Sequence, residues 1–265
     1  MIRIDRGEEH PELPALRAAE LRRVEAVLRA RPLTHRDFGE AAKFVRASLR
    51  ARQHKKCCYC ERFALEKHEH VEHVRPKTAA RRSMNVTDPG YWWLAWSWDN
   101  LLFCCVHCNR HKGTWYPLLR GQPLKERATP PGHERPLLLD PGVDDPIAHI
   151  QFKPIAARWI PTPREGSVRG YETIRRIQLD RSDLLEHYEA LAHYLDDGIT
   201  RIRTAGDAVD ATWREVLARW LQPSKYLAAL YYDILDHTFP RALRTRWGVS
   251  LDAFAGALTQ RRTGA

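Results

Sequence analysis

All six cysteines of this chain lie in two short clusters, "CCYC" and "CCVHC". Each cluster contains one pair separated by two residues: Cys57 with Cys60, and Cys105 with Cys108. A tight turn at this spacing aims both sulfurs of a pair at one ion. Two such pairs predict a tetrahedral site for structural Zn²⁺ in which the protein fills all four ligand positions. A closed site of this kind stabilises a fold but leaves no position open for a reaction.

The cellular compartment decides whether these cysteines are thiols or disulfides. The N-terminal stretch "MIRIDRGEEHPELP" is charged and lacks the apolar core of a signal peptide. No apolar run approaches the roughly 20 residues that a membrane span needs. We therefore expect a cytoplasmic protein with reduced thiols, in which clustered cysteines bind metal. Cys58 and Cys104 do not fit the pair spacing and are expected to be small buried hydrophobic residues.

The net charge indicates the class of partner. Lysine and arginine outnumber aspartate and glutamate by 43 to 33, and the isoelectric point is about 9.5. This excess favours a polyanionic partner, with nucleic acid ahead of an acidic membrane surface. The predicted helices have narrow apolar stripes rather than broad basic amphipathic faces, so no membrane partner is expected.

Composition and periodicity divide the chain into four segments and predict an α+β protein. The segments are a helical N-terminal part, a module with both cysteine clusters, a proline-rich linker with short strands, and a helical C-terminal region: 1–54, 55–118, 119–165 and 166–265. In the first segment, one helix follows Arg17 and reaches Pro32. A second is predicted from Thr34, as N-cap, to about Arg52.

Three further helices are predicted in the C-terminal region. The first is capped by Asp180 or Ser182 and carries apolar residues at helical spacing as far as Ile199. The second ends at Pro223, and Ser224 caps the third. Upstream of them, "PLLLDP" and "HIQFKPIAARWIPT" predict short strands.

Polar residues between and after the cysteine pairs form a second constellation. "EHVRP" begins at Glu72, "DNLL" contains Asn100, and "CNRHK" contains Asn109 and ends at Lys112. Together they resemble the motif of HNH endonucleases: an acid and a histidine with a proline three positions later, an asparagine that opens a second strand, and a histidine or asparagine after the second zinc knuckle, with a lysine three further on. This chain would be an HNN variant, with glutamate where aspartate is commoner.

The resemblance implies a ββα-metal nuclease module, treble-clef-like, embedded in a mainly helical protein. His73 would be the general base, since histidine titrates near neutral pH. Glu72 and Asn109 would hold a catalytic Mg²⁺ or Mn²⁺ by oxygen. Lys112 would face the same phosphate from one helical turn along, and Asn100 would hold the loop between the strands through backbone hydrogen bonds.

A rival register exists, because Glu69 and His70 are also an acid followed by a histidine. The proline three residues after His73 favours the first register. The remaining histidines of the module are expected at the surface or beside the site: His68, His70, His107 and His111. The zinc-ribbon alternative, in which Glu72, His73 and Asn109 are incidental polar groups, stays open at this point.

Two further patterns have both a functional and a structural interpretation. The segment "YWWLAWSW" could stack on unpaired bases, but tryptophans at this density more often fill a core, which is our prediction. Basic residues flank the proposed site, and phosphate contact is predicted for Arg75, Lys77 and Arg110. The alternative for each of them is a solvated rim.

A broader resemblance covers residues 1 to about 185. The segments "MIRIDRG", "CCYCE", "EHVRPK", "YWWLAWSWDNLLFCCVHCN", "DDPIAHIQF" and "YETIRRIQLDR" resemble the HNH nuclease subunit of Septu-type bacterial anti-phage systems, some of them found with retrons. The resemblance implies an ABC/SMC-like ATPase partner, which the C-terminal helices are candidates to dock. For the retron-associated systems it also implies a reverse transcriptase and its DNA product.

These observations lead to one leading function and one rival. The first is a metal-dependent DNA endonuclease that acts in an anti-phage complex. The second is a zinc-stabilised nucleic-acid-binding or adaptor module without catalysis.

Overall fold

In a computed structural model of the chain, residues 1–38, 44–64, 69–119 and 134–251 are described. Four sequence predictions fall wholly or partly outside them: the middle of the second helix, His68, most of the proline-rich linker and the C-terminal tail. The described residues combine helices with small antiparallel sheets. The predicted α+β class is therefore confirmed.

The chain packs as two compact units, one mainly from residues 4–58 and 63–142, the other mainly from residue 143 onward. We call them the N-terminal and the C-terminal unit. In the N-terminal unit, α1 is Leu13–Ala30 and α2 is Arg46–Arg52.

The predicted first helix is confirmed by α1, which begins earlier than expected and ends before Pro32. The predicted cap at Thr34 is wrong. The backbone N–H and the hydroxyl of Thr34 instead donate to the Asp37 carboxylate, at 2.6 and 2.8 Å. Asp37 lies in a 3₁₀ turn, His35–Phe38, so the chain makes a tight local turn here before it reaches α2.

Four short strands follow and form two antiparallel pairs. Strand β1 (His70–His73) pairs antiparallel with β4 (Leu101–Cys104), with Glu72 opposite Leu102. Between them in sequence, β2 (Ala79–Arg81) pairs with β3 (Thr87–Pro89). All four residues of β4 are buried, which is typical of a strand covered on both faces.

Helix α3, Val106–Lys112, begins two residues after β4 and packs near β1. The Cys105 sulfur accepts the Cys108 N–H at 3.4 Å, so the second cysteine pair also forms the N-cap of this helix. Because β1 pairs with β4 and α3 follows β4, the end of β1 lies close to the start of α3.

The tryptophan-rich segment lies between β3 and β4 in two 3₁₀ turns. Tyr91, Trp96 and Trp98 are buried, which confirms the core prediction for these three residues. Trp92 and Trp93 are half-buried.

In the C-terminal unit, "HIQFKPIAARWIPT" forms the predicted short strands, β5 (Ile150–Ile155) and β6 (Arg158–Pro163), which pair as a hairpin. Ala156 and Ala157 make its two-residue turn with positive φ, at 48° and 62°. By contrast, "PLLLDP" in the N-terminal unit is not a strand. It contributes one isolated bridge at Pro136 and buries two leucines.

Between the hairpin and residue 251, where the described part of the chain ends, lie six helices: α4 Val168–Ile177, α5 Ser182–Ala192, α6 Asp196–Thr204, α7 Val209–Trp220, α8 Ala228–Thr238 and α9 Arg241–Arg246. The helix that we predicted to reach Ile199 is divided into α5 and α6 by a 3₁₀ turn. Its N-cap is Arg181, and α8 begins four residues after Ser224. Among the described residues, no helix combines the length and apolar character needed to cross a bilayer.

Candidate functional site

The two cysteine pairs meet in one buried cluster. The sulfurs of Cys57, Cys60, Cys105 and Cys108 all lie within 4.8 Å of one another, and all four residues are buried. The first pair follows α2 and is held against β4, where the Cys58 N–H donates to the Phe103 carbonyl at 3.1 Å. The four residues that the spacing selected can therefore hold a metal ion such as zinc.

Cys58 and Cys104 lie beside this cluster. Both are buried, as predicted, and burial raises the pKa of each thiol well above its usual range. Their sulfurs and that of Cys57 lie within 4.8 Å of one another, with Cys57 and Cys104 only 3.8 Å apart. The sequence spacing did not indicate this second, overlapping set of three sulfurs.

A pocket of polar side chains forms where β1 meets α3. Glu72 is 2% exposed, and its two carboxylate oxygens have different partners. Oε2 accepts a hydrogen bond from the Asn109 amide at 2.7 Å, and Oε1 pairs with the Lys112 ammonium at 2.5 Å. Lys112 is 1% exposed and also donates to the His73 carbonyl at 2.8 Å. The structure thus brings together the predicted acid, asparagine and lysine.

The charges in this pocket oppose one another. Burial raises the pKa of the Glu72 carboxyl, while Lys112 and Asn109 act to lower it. A desolvated carboxylate is stable only when other groups compensate its charge. In this pocket Lys112 and Asn109, both on α3, supply part of that compensation.

His73 follows Glu72 on β1 and points elsewhere, as neighbours on a strand do. Its Nε2 lies 2.8 Å from the Ala95 carbonyl oxygen. A carbonyl only accepts, so this contact selects the tautomer with the proton on Nε2 and the lone pair on Nδ1. Burial, followed by the charge of Lys77, lowers the pKa of His73 to about 3. The imidazole is therefore neutral at pH 7.

Asn100 bonds to backbone groups on both sides of the inserted segment. Its amide donates to the carbonyls of Arg75 and Leu94, at 3.0 and 3.1 Å, and its oxygen accepts the Arg75 N–H at 2.7 Å. These are the contacts expected of a residue that fixes the chain after His73 relative to the start of β4.

The rival acid, Glu69, has a different place. Its carboxylate accepts the Val106 N–H at 2.9 Å, at the first residue of α3. A carboxylate at a helix N-terminus satisfies an otherwise unpaired N–H and interacts favourably with the helix dipole. Sequence reasoning missed this role, because the two residues are far apart in the chain.

The predicted phosphate-binding residues differ in exposure. The Arg75 guanidinium pairs with the buried carboxylate of Glu134 at 3.1 Å and lies over the Tyr116 ring. Lys77 is half-buried with its ammonium 5.4 Å from the centre of the Phe38 ring, and burial lowers its pKa. Arg110 is exposed on α3. Arg75 therefore has a structural partner, whereas Arg110 faces solvent.

A buried polar network beneath the site was also missed. The Tyr91 hydroxyl donates to Glu134, and Arg82 donates to the Tyr91 oxygen at 2.9 Å and to the Asp88 carboxylate at 2.8 Å. Burial raises the pKa of Tyr91 far above its usual range. The composition of "YWWLAWSW" gave no signal that its tyrosine would form buried hydrogen bonds.

The chain resembles one curated protein over about half its length. It is 40% identical over 144 residues to the Septu protein PtuB of Bacillus mycoides (strain KBAB4). The match covers 52% of this chain and 47% of that protein, so the chain spans about half the length of the curated relative it matches. This confirms the predicted resemblance to Septu-type proteins. No protein-family model matches the chain, and no solved structure matches it.

Proposed function

We propose that this chain is a metal-dependent endonuclease of the HNH type that hydrolyses phosphodiester bonds of DNA. The observation that carries the proposal is the contact of Glu72 with both Asn109 and Lys112, beside His73. Glu72 and His73 come from β1, which pairs with β4, and Asn109 and Lys112 come from α3, which follows β4. The arrangement supports the ββα-metal module that the sequence motif implies.

His73 is suited to the role of general base. Its Nε2–H is held by the Ala95 carbonyl, which leaves the Nδ1 lone pair to accept a proton from water. Its lowered pKa keeps this lone pair available at neutral pH. The same shift weakens the imidazole as a base in the resting protein. An anionic phosphate close to the imidazolium would oppose that weakening once substrate is bound.

The pocket also fits a hard divalent cation. Carboxylate and amide oxygens are ligands that Mg²⁺ and Mn²⁺ accept. Glu72 supplies two oxygens, and the adjacent Asn109 can turn its amide oxygen toward the same point, because amide oxygen and nitrogen exchange places by rotation. When bound, the ion would offset the charge that builds up on the phosphate and on the departing oxygen. Lys112 then adds a positive charge beside the same carboxylate.

The cysteine cluster fits structural zinc. Zn–S bonds of about 2.3 Å in a tetrahedron place the sulfurs about 3.8 Å apart, which four sulfurs within 4.8 Å can satisfy with small adjustments. In this proposal, zinc holds the loop after α2 against the start of α3. It thereby fixes the helix that carries Asn109 and Lys112.

We further propose a role in anti-phage defence, for which the identity to the Septu protein is the support. In that setting the chain would act with an ABC/SMC-like ATPase, docked on the C-terminal helices, and in retron-associated systems with a reverse transcriptase and its DNA.

A plasmid-nicking assay tests the catalytic assignment. The full chain, alone and with its ATPase, is incubated with supercoiled plasmid and Mg²⁺. Removal of a general base costs about 10²–10⁴-fold in rate, so His73→Ala should lower nicking by that factor. Its metal content and unfolding temperature should stay close to those of the parent.

The control for this variant is His107→Ala, since His107 is exposed on the same helix as Asn109 and should leave nicking unchanged. Equal nicking by His73→Ala and the parent would refute the assignment. Tight DNA binding without cutting, in the presence of the ATPase, would favour the adaptor function instead.

A further inference from the structure

The β2–β3 hairpin has a feature that the proposed chemistry does not use: an exposed apolar tip. Met84 is 68% exposed and Val86 is 50% exposed, and the residues between β2 and β3 are otherwise polar. Asn85 lies between them and is also exposed. Large apolar side chains at the end of a protruding hairpin are unusual unless a partner covers them.

The hairpin is fixed next to the candidate active site. Its first strand pairs with the segment that follows α3: the Arg81 N–H donates to the Thr114 carbonyl at 2.8 Å, and the Tyr116 N–H donates to the Arg81 carbonyl at 2.9 Å. Thr114 is two residues after Lys112. The exposed tip is thus attached to the end of the helix that carries two of the predicted site residues.

The base of the hairpin is held firmly. The Arg82 guanidinium donates to the Asp88 carboxylate, to the Tyr116 carbonyl and to the Tyr91 hydroxyl, at distances of 2.7 to 2.9 Å. Gly90, directly after β3, passes so close to the backbone of residues 77 and 78 that an added Cβ would lie 2.5 Å from it. A hairpin held in this way can insert its tip into a partner without an ordering cost at its base.

Arg81 adds a positive charge beside the tip. Its guanidinium lies 4.1 Å from the centre of the Trp115 ring, and its Nη2 contacts the Met84 sulfur at 3.6 Å. The face of Trp115 is therefore covered by a cation and is a poor platform for an unpaired base. The hairpin carries an apolar side chain that can act as a wedge (Met84), an amide (Asn85) and an arginine (Arg81). Minor-groove proteins use these residue types to unstack a base step.

We infer that the β2–β3 hairpin inserts Met84 between stacked base pairs of duplex DNA, with Arg81 against the backbone phosphate. The inference rests on the proposed nuclease function and names its substrate as duplex rather than single-stranded nucleic acid. Two observations decide for the duplex. First, the tip is aliphatic, whereas proteins bind unpaired bases with exposed aromatic rings. Second, the Arg81 guanidinium covers a face of the Trp115 ring.

Binding is tested in the full chain with His73→Ala, which prevents cutting. A series of duplexes carries 2-aminopurine at successive positions, because its fluorescence rises when the base is unstacked. We expect a rise at one or two adjacent positions. Loss of the apolar wedge should abolish the rise and weaken binding about tenfold in Met84→Ser, whereas Met84→Leu should keep both.

Arg81→Ala should weaken binding and reduce the slope of log affinity against log salt by about one, as expected for one lost phosphate contact. Arg81→Lys should restore that slope. Unchanged unfolding temperatures would show that the Met84 and Arg81 variants still fold. A single-stranded oligonucleotide of the same sequence should bind at least about tenfold more weakly than the duplex.

The outcomes separate this inference from the proposed function. If plasmid is cut but Met84→Ser binds and unstacks like its parent, the wedge is refuted and the nuclease stands. If the duplex is bound and unstacked but never cut, the nuclease is refuted and the wedge stands. No duplex binding, or preferential binding of single strands or duplex RNA, refutes the wedge.

Discussion

The chain contains two clusters of metal-binding groups that are built in opposite ways. In the sulfur cluster, every ligand is a cysteine from one of two pairs, and the two members of each pair are three positions apart in the sequence. All four cysteines are buried. In the pocket around Glu72, the groups come from β1 and α3, and they are hydrogen-bonded to one another. A set of ligands that is complete without substrate can stabilise a fold. A carboxylate whose partners are movable side chains can exchange them for an ion and a phosphate.

The largest expected effect comes from breaking the sulfur cluster. Structural zinc contributes about 10–16 kcal/mol in small zinc-binding domains, which exceeds the total stability of most domains. Cys108→Ser should therefore abolish zinc binding and unfold the N-terminal unit. Metal content by mass spectrometry and circular dichroism measure the two effects.

Cys58→Ala is the matched control, since Cys58 is equally buried but outside the predicted set of four. It should keep the zinc and lose only about 1 kcal/mol of stability from the small cavity. If Cys58→Ala loses zinc and Cys108→Ser retains it, the ion is held by the overlapping set of Cys57, Cys58 and Cys104. The prediction that four cysteines bind zinc while the thiols of Cys58 and Cys104 do not would then be wrong.

A smaller loss of stability is expected from a change in the pocket around Glu72. Lys112→Met removes the cation from a carboxylate that is 2% exposed, and an unpaired buried charge costs about 3–5 kcal/mol. Urea unfolding without added Mg²⁺ should show this loss. The double variant Glu72→Gln with Lys112→Met should recover most of it, because no charge is then left unpaired.

Addition of Mg²⁺ sharpens the comparison. In Lys112→Met, an ion at Glu72 can replace the missing ammonium, so Mg²⁺ should stabilise this variant more than the parent. It should have no such effect on the double variant, which lacks the carboxylate. An unfolding curve for Lys112→Met that matches the parent with and without Mg²⁺ would show that Glu72 needs no cation.

The two clusters also differ in how far the sequence predicts them. The zinc set follows from local spacing alone, because a turn of two residues decides where the sulfurs point. For Glu72, His73 and Asn109, the residue types came from the motif, but their partners depend on tertiary contacts. No local rule indicates that Glu69 would cap α3, or that Arg75 would pair with Glu134 rather than face a phosphate.

The same limit applies to the helices. Periodicity located α1 and α7, but it predicted a continuous helix where a 3₁₀ turn separates α5 from α6. Apolar residues continue at helical spacing across that turn, so the pattern alone contains no signal for the break. The cap expected at Thr34 failed because the Thr34 hydroxyl donates to the Asp37 carboxylate, which also accepts the Thr34 N–H.

Another buried carboxylate, that of Asp233 in the C-terminal unit, provides a control for the behaviour of Glu72. It is 5% exposed, accepts the Phe152 N–H at 2.8 Å and pairs with Arg164 at 2.6 Å. Arg164 is itself tied to the Ile147 carbonyl at 2.7 Å. Asp233 thus resembles Glu72 in its burial and its cation, but one of its partners is backbone and cannot be exchanged for a ligand.

Burial raises the pKa of Asp233 to about 6, although Arg164 and the Phe152 N–H act in the opposite direction. The folded protein therefore binds this proton more tightly than the unfolded chain does. The free energy of unfolding contributed by Asp233 is greatest below roughly pH 4 and falls as the pH rises through 6, by about 3 kcal/mol in total. Asp233→Asn should remove this dependence while keeping an acceptor for the Phe152 N–H.

The measurement is the difference in unfolding free energy between the parent and Asp233→Asn from pH 4 to pH 7, which cancels the other carboxylates. We expect the parent to lose its advantage as the pH rises, and added Mg²⁺ to change neither curve. A difference that grows with pH would mean that Arg164 outweighs burial and lowers the pKa. A carboxylate buried beside a cation would then be stabilised in its charged form, and Glu72 would be ionised beside Lys112 before any divalent ion arrives.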